Sequence, residues 1–491
     1  MTALRHKLFS GTAYTLASVL VAQVISLVTS VAYARILGPE KLGVLAIVTT
    51  LTTAIIPLSS LGIGTALTRM IPEYRRKRKE ALEALVGTAF GITLVAGVAV
   101  TVVYFLLAGP LSGLYAQPEL VLFVQITALL VIVDAVVALG AAVVQGFERV
   151  KELAVLTLAS RALTVPVIIA FTFYFGLLGA ILGTVVTQLL TFSIYMWAVR
   201  RILRLEKLAP VPVRLHRPTA SAIMRIALPL FGAFVVLRPA LLFQSSFLAL
   251  MVGYAQLGQF RVASGLYRIA LLLPASLSVP LLPAISAMYA EETRERTRTQ
   301  LSSLLRITAF LGLPIALAIG LGAVPIISIL YGAEYVAAAP LVFVISAAAF
   351  VETLGAVVEN TLLGTGRTRL VLLLTVMQAG VIAGGTWLFV SAFGLLGMGF
   401  AMLLNAAVYA CVVGALLLAK KEIRFADFRA ILALGVVAFL GAAVLVSVGR
   451  LADVWISAIY FAVILAAEWK LLSDRDWHVL RDAVRSMLGR G

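Results

Sequence analysis

Apolar stretches of 20 or more residues recur along the whole chain, separated by short polar turns or by clusters of lysine and arginine. As a helix rising about 1.5 Å per residue, roughly 20 such residues cross the ~30 Å of hydrocarbon in a bilayer. Hydrocarbon offers the backbone no hydrogen bonds, so an apolar run of that length must be helical there. The strands of a membrane barrel would instead alternate in segments of about ten residues, a pattern the sequence lacks. The pattern predicts fourteen helices, near 11–37, 41–66, 82–108, 120–145, 153–175, 177–199, 226–252, 255–287, 303–329, 338–362, 370–392, 395–418, 430–448 and 454–470. Turns such as Gly38-Pro39-Glu40 separate neighbours. The eighth span carries Pro274, Pro280 and Pro283, which predicts a kink or a break, because proline removes a helical hydrogen bond. The first span follows Arg5 and Lys7 and ends in Ala32-Tyr33-Ala34, the outline of a cleavable leader. It is too long for the apolar region of about 7–15 residues in such a leader, and it is read as a retained helix.

Composition agrees. Of the 491 residues, 62% are hydrophobic and 12% charged, with a mean hydropathy of +1.08, against about 45–50% and roughly 25% in soluble domains. The net charge of +17 would suggest nucleic acid in a soluble protein, but the placement of the charges points elsewhere. The N-terminus, Arg75 to Lys79, Arg149 and Lys151, the 200–225 segment, Arg294 to Arg306, Arg367 and Arg369, Lys420 to Arg429 and the tail, with flanking residues, hold 33 cations. The opposite set of loops holds three, Arg35, Lys41 and Arg450. This asymmetry predicts a multi-pass protein of the cell membrane with both termini cytoplasmic. The basic excess then reads as a topology and anionic-lipid signal, with no nucleic-acid partner.

The chain also repeats itself. Gly146-x-x-Arg149-x-Lys151 matches Gly364-x-x-Arg367-x-Arg369, and Phe175-Gly176-Leu177-Leu178-Gly179 recurs as Phe393 to Gly397, both displaced by 218. The same shift maps Asp134 onto Glu352 and Glu73 onto Glu291. Six helices per unit is an even number, so the two copies point the same way across the membrane. The expected organisation is a first bundle over 1–199, a cytoplasmic linker over 200–225, a second bundle over 226–418, an extra helix pair over 419–470 and a tail over 471–491. In the tail, Ser473 is placed to cap a helix. Trp477, Leu480, Val484, Met487 and Leu488 then share one face, as in a helix lying on the membrane surface.

A charge at the bilayer centre costs at least about 2.5–3.5 kcal/mol on insertion scales, so ionisable residues within spans are candidate sites. Arg238 and Arg268 fall near the middle of the seventh and eighth spans, and Arg261 lies seven residues before Arg268. Asp134 and Glu352 fall at mid-depth in theirs. One reading is a water-filled cavity in which Arg238, Arg268 and Arg261 bind an anionic substrate, since the arginine fork matches phosphate. The other is internal pairing, for example Arg268 with Glu352 or Glu359. Asp134 and Glu352 stand between ion coupling and structural pairing, and Arg35 between substrate contact and simple snorkelling. Gln23, Gln125, Gln188, Gln244, Asn360, Gln378 and Asn405 are expected chiefly to bond between helices.

Other chemistry is poorly represented. No GxxxxGK[ST], HExxH or GxSxG motif occurs, so no catalytic residue is expected. Asp474-Arg475-Asp476 has the D-x-D form of some sugar transferases, but it opens the tail and is read as capping and solvation. Cys411 is the single cysteine, and His6, His216 and His478 are scattered, so neither a metal site nor another cofactor is expected.

Ala34-Arg35-x-Leu37-Gly38-Pro39-Glu40-x-x-Gly43, followed by Leu61-Gly62-Ile63-Gly64 and a basic loop, resembles the N-terminal signature of the polysaccharide (oligosaccharide) flippases. Val252-Gly253-Tyr254 is similar to that family's second-half pattern. Their superfamily also holds the lipid-linked peptidoglycan precursor flippase and the multidrug-and-toxin extrusion antiporters. The resemblance implies two six-helix bundles in a V around a cavity open to alternate sides. It implies a polyprenyl-linked oligosaccharide turned from the cytoplasmic to the outer leaflet, by a protein expected to act as a monomer with membrane lipid around it. H+ or Na+ is the candidate coupling ion. Relatives often carry an acidic residue in the seventh helix, where this chain has Arg238 and Gln244. A cation-coupled exporter of drugs or other small molecules is the alternative, and a membrane glycosyltransferase a third. The first span lacks the acidic residue that archaeal-type extrusion antiporters use.

Overall fold

The computed structural model describes residues 2–77, 81–206, 208, 215–271, 294–364, 368–419, 425–447, 454–472 and 476. These residues form helices joined by short turns, with no strand among them. In chain order the helices are α1 (Thr2–Ser60), α2 (Ile63–Lys77), α3 (Leu82–Leu106), α4 (Ala108–Tyr115), α5 (Leu120–Gly146), α6 (Val150–Leu205), α7 (Arg217–Met251) and α8, described over 254–271. They continue as α9 (Arg294–Leu321), α10 (Ala323–Leu330), α11 (Ala339–Gly364), α12 (Thr368–Phe393), α13 (Leu395–Ala419), α14 (Phe425–Ser447) and α15 (Val454–Leu471). Among the described residues nine stretches are long and apolar enough to cross a membrane. Two of them, of 55 and 56 residues, are twice the length of one crossing, so fourteen crossings are compatible with the structure.

Both double-length helices bend at a glycine. α1 breaks at Gly38, with φ 72° and ψ 172°, and α6 at Gly176, with φ 57° and ψ −132°. These are conformations that side chains with a Cβ rarely adopt. The second expected span, 41–66, is interrupted at Leu61 and Gly62, both at positive φ, and α2 starts afresh at Ile63. A Cβ on Gly62 would stand 2.8 Å from the carbonyl oxygen of Ala227, so this break also admits α7. The 200–225 segment is shorter as a linker than expected. α6 runs on to Leu205 because Arg200, Arg201 and Arg204 sustain a helix, and Pro218 opens α7. Pro274, Pro280 and Pro283 lie outside the described residues, as do Ser473 and the amphipathic stretch after Asp476.

The chain forms two compact units, Ala17–Gly258 and Met1–Leu16 with Gln259–Gly491. The first is built around Leu67, Ile71, Leu85, Leu139, Val143 and Ile202, from α2, α3, α5 and α6. The second is built around Leu313, Leu317, Phe350, Val413, Ala438 and Ile464, from α9, α11, α13, α14 and α15. Asp476, expected to be solvated, is instead fully buried in the second unit. It accepts hydrogen bonds from Arg306 Nε at 2.9 Å and Nη2 at 3.2 Å, and from the Ser303 hydroxyl. The guanidinium fork compensates the buried carboxylate, which a cap at a helix start would not have required.

The internal repeat recurs in backbone geometry. Gly394, the counterpart of Gly176 in the second copy, has the same φ of 57°. A Cβ on Gly179 would overlap the carbonyl oxygen of Phe171, and one on its counterpart Gly397 would overlap that of Phe389, the counterpart of Phe171. A further correspondence runs at a different offset. Gly38-x-x-x-Leu42-Gly43 matches Gly253-x-x-x-Leu257-Gly258, displaced by 215. Gly38 and Gly253 are both at positive φ. These two turns cross within the first unit: a Cβ on Gly43 would overlap the Tyr254 carbonyl oxygen, and one on Gly258 that of Pro39. The contact is reciprocal, because residues 39 and 254 are repeat equivalents, as are 43 and 258.

Backbone on backbone leaves no room for a methyl group at this crossing. Gly43→Ala and Gly258→Ala are each expected to cost about 1–3 kcal/mol of stability or more, by overpacking. Gly380→Ala, in α12, adds its methyl to open space and is expected to gain about 0.5–1 kcal/mol. Thermal unfolding of the three purified variants measures the contrast.

Candidate functional site

The charged residues within the spans fall into separate groups in the two units. In the first unit Asp134, on α5, receives a hydrogen bond from the Gln188 side chain of α6, with the Arg161 guanidinium as a nearby positive charge. Arg238 is half-buried in the second half of α7, six residues before the buried Gln244. Arg35 is exposed, three residues before the Gly38 break. Among the described residues no carboxylate forms an ion pair with Arg238.

In the second unit Arg261 and Arg268 stand seven residues apart on α8, which puts them on one face. Both are exposed. Glu352 and Glu359 are likewise seven apart, on α11. The two glutamates take tyrosine hydroxyls: Tyr267 donates to Glu352, and Tyr409 donates to Glu359 at 3.1 Å. Tyr267 and Arg268 are neighbours in sequence, so on a helix of 3.6 residues per turn their side chains diverge by about 100°. Tyr267 therefore reaches α11, while Arg268 lies toward Tyr331, just beyond the end of α10. No ion pair joins Arg268 to a carboxylate among the described residues.

Asp134 and Glu352 are equivalent in the repeat but differ in surroundings. The shift that relates them carries Gln188 onto Ala406 and Arg161 onto Ala379, and alanine can neither donate nor carry charge. A tyrosine from α8 replaces them. Tyr267 and Tyr409 were not singled out from the sequence; the usable signal was a tyrosine beside an arginine in an otherwise apolar helix. Glu468, on α15, is a further acid within an apolar helix. Its side chain is buried, 3% exposed, and borders a small cavity together with Arg306, Phe310 and Phe350. Its Oε2 has no hydrogen-bond partner among the described residues.

Hydroxyls complete a polar system on the first unit's turns. The Tyr254 hydroxyl donates to the carbonyl of Tyr115 at 2.7 Å, and the hydroxyls of Tyr115 and Ser246 are 2.5 Å apart. Tyr115, at the end of α4, thus links Tyr254 at the start of α8 to Ser246 of α7, beside the Gly43 crossing. Among the described residues no cluster of histidine, cysteine, aspartate and glutamate has the arrangement of a metal site.

A family model described as "Polysaccharide biosynthesis protein" matches residues 8–289. A search of curated proteins finds no match. Among solved structures, the chain is similar to the lipid II flippase MurJ in its inward closed conformation, with a TM-score of 0.72 at 14% identity, over 97% of this chain and 100% of that one. It is similar to an inward-facing multidrug resistance MATE transporter of the MOP superfamily, with a TM-score of 0.68 at 16% identity, over 80% of this chain and 92% of that one. A MOP-superfamily transporter from Pyrococcus furiosus, described by a binding pocket of reverse polarity, gives 0.62 at 16% identity, over 82% and 94%. At these identities the likeness is one of fold.

The tyrosine–carboxylate bonds can be tested directly. Removing the hydroxyl in Tyr267→Phe leaves the Glu352 carboxyl without its donor, which typically costs about 1–3 kcal/mol. Thermal unfolding of Tyr267→Phe should therefore show a loss that Glu352→Leu/Tyr267→Phe largely recovers, since the pair is then removed together.

Proposed function

We propose, from the premise that the chain belongs to the polysaccharide biosynthesis protein family, that it is a flippase for a polyprenyl-(pyro)phosphate-linked oligosaccharide. It is a multi-pass membrane transporter with the fold of the MOP superfamily. The proposal adds the substrate class and the direction, from the cytoplasmic to the outer leaflet by alternating access, without enzymatic chemistry. The observation that carries it is the pair of arginines, Arg238 and Arg268, placed in apolar helices and joined to no described carboxylate. A guanidinium kept at such a place is maintained against an insertion cost. A phosphate passing during transport is the counter-charge that suits its planar fork.

In this reading Arg238 and Arg268 bind the phosphate of the carrier, and Arg261 and Arg35 guide it. Asp134, Glu352 and Glu359 are the carboxylates available for coupling to H+ or Na+. A single chain suffices for the cycle, in the cell membrane with both termini cytoplasmic. The 33-to-3 distribution of cations supports that orientation.

Cys411 is exposed and is the only native thiol, so a Cys411→Ala background allows a clean labelling scan. A cysteine at Ala209 is expected to resist membrane-impermeant maleimide in intact cells and to react after lysis. Ready labelling from outside overturns the topology.

Substrate binding is tested by truncating the arginines. A hydrogen bond to a charged group is worth about 1.5–3 kcal/mol net, so Arg238→Ala and Arg268→Ala should each weaken binding by roughly tenfold or more. Lysine should restore part of the loss, since it keeps the charge without the fork. Export of the glycan is measured beside protein abundance in the membrane. Wild-type export and abundance in both alanine variants would refute the anionic-substrate reading. Low abundance with normal export per molecule would make the arginines structural.

A further inference from the structure

The last turns of α6 gather three guanidinium groups that no part of the proposed transport route uses. Arg200, Arg201 and Arg204 are all exposed. With Phe192, Met196 and Trp197 they border a recess of about 700 Å³. Helical spacing places residues 197, 200, 201 and 204 side by side, three or four apart. Trp197 is 60% exposed, and the Arg201 guanidinium lies over its ring at 5.6 Å from the centroid.

These charges lack the usual compensation. The adjacent acid, Glu206, accepts from Arg75 at 2.7 Å and is therefore engaged elsewhere. No ion pair joins Arg200, Arg201 or Arg204 to a carboxylate among the described residues. A cation in the last turn suits the helix dipole, but that effect fades within a turn and asks for one residue, not three. On the N-terminal side the same helix exposes Leu189 and Leu190 before Trp197. Along about four turns, then, the surface passes from exposed aliphatic groups through a half-polar aromatic ring to a triad of arginines. A membrane lipid has the same order along its length, from acyl chain through interface to phosphate, and tryptophan prefers the interfacial level.

We propose that this recess is a binding site for one anionic glycerophospholipid of the bilayer. Its phosphate would be held by Arg200 and Arg204, with Arg201 fixed over Trp197 as the third donor and the acyl chains lying against Leu190 and Met196. The occupant is a resident lipid of the bilayer, bound on α6 of the first unit. The site stands apart from the transported substrate, because none of these residues belongs to the proposed substrate path.

Trp197 reports on the site. The full-length chain carries five tryptophans, and replacing Trp387, Trp455, Trp469 and Trp477 with phenylalanine leaves Trp197 as the single emitter. The protein is reconstituted in phosphatidylcholine vesicles containing graded fractions of dibrominated phosphatidylglycerol or dibrominated phosphatidylcholine, and quenching is recorded. The expected result is half-maximal quenching at a phosphatidylglycerol fraction at least fivefold lower than the phosphatidylcholine fraction. Each arginine changed to glutamine should reduce this preference by about fivefold until none remains, and R200K/R201K/R204K should keep part of it. Should the glutamine variants not accumulate, raising salt to about 1 M should erode the preference in the unsubstituted site by screening. Equal quenching by the two lipids at low salt overturns the proposal. So does loss of the preference on adding millimolar inorganic phosphate, which would mark a site for free anions. Displacement of the brominated lipid by a polyprenyl phosphate at lower concentration than by unbrominated phosphatidylglycerol would assign the recess to the substrate, and the phospholipid proposal would fail.

Discussion

The bilayer interior accepts no hydrogen bonds, and the rest of the structure follows from that constraint. A polar side chain in a span gains most by finding a partner on the protein. Serine and threonine do so locally: Thr127 bonds back to Phe123, Thr172 to Ile168, Ser346 to Val342 and Thr353 to Ala349, each to the carbonyl four residues earlier. Carboxylates need neighbours from other helices, and Asp134, Glu352 and Glu359 receive them from Gln188, Tyr267 and Tyr409. Where the helical backbone itself must bend, the bend occurs at a glycine, as at Gly38 and Gly176, between stretches whose own hydrogen bonding continues on either side.

The duplicated architecture is held to the same rule by its glycines. A helix crossing that brings one backbone onto another cannot admit a Cβ, and both copies of the G-x-x-x-L-G turn keep glycine at that position. Small residues at close crossings replace the hydrophobic drive that lipid does not supply, because packing is what remains between helices in hydrocarbon. The offset is 215 at this turn and 218 at Glu73 and beyond, so the second copy is three residues longer between these points. The bends and crossings themselves are retained.

Against this satisfied background the arginines stand out. Asp134, Glu352 and Glu359 are hydrogen-bonded by neutral donors, whereas Arg238 and Arg268 meet no described carboxylate. Such a distribution suits a transporter that receives negative charge from its cargo, and it agrees with membership of a polysaccharide biosynthesis family. The arginine triad at the end of α6 extends the same logic to the membrane surface, where the counter-charge is a lipid headgroup.

Hydropathy alone determined the class and the secondary structure, since helix is the solution open to a membrane-spanning apolar run in lipid. The identical Phe-Gly-Leu-Leu-Gly segments revealed the repeat, and the cation asymmetry set the expected orientation, because both are properties of order along the chain. Side-chain partnership was not legible in the same way. Asp134 and Glu352 look equivalent in sequence, yet one meets glutamine and the other tyrosine. Asp476 looked like a solvated cap and is buried against Arg306, far earlier in the chain. Glu468 and the reciprocal crossing of Gly43 and Gly258 left only weak traces. These are decided by which helices the fold brings into contact. Periodicity tells which residues share a face of one helix; what that face meets depends on packing between segments far apart in the chain, and that only the tertiary structure decided.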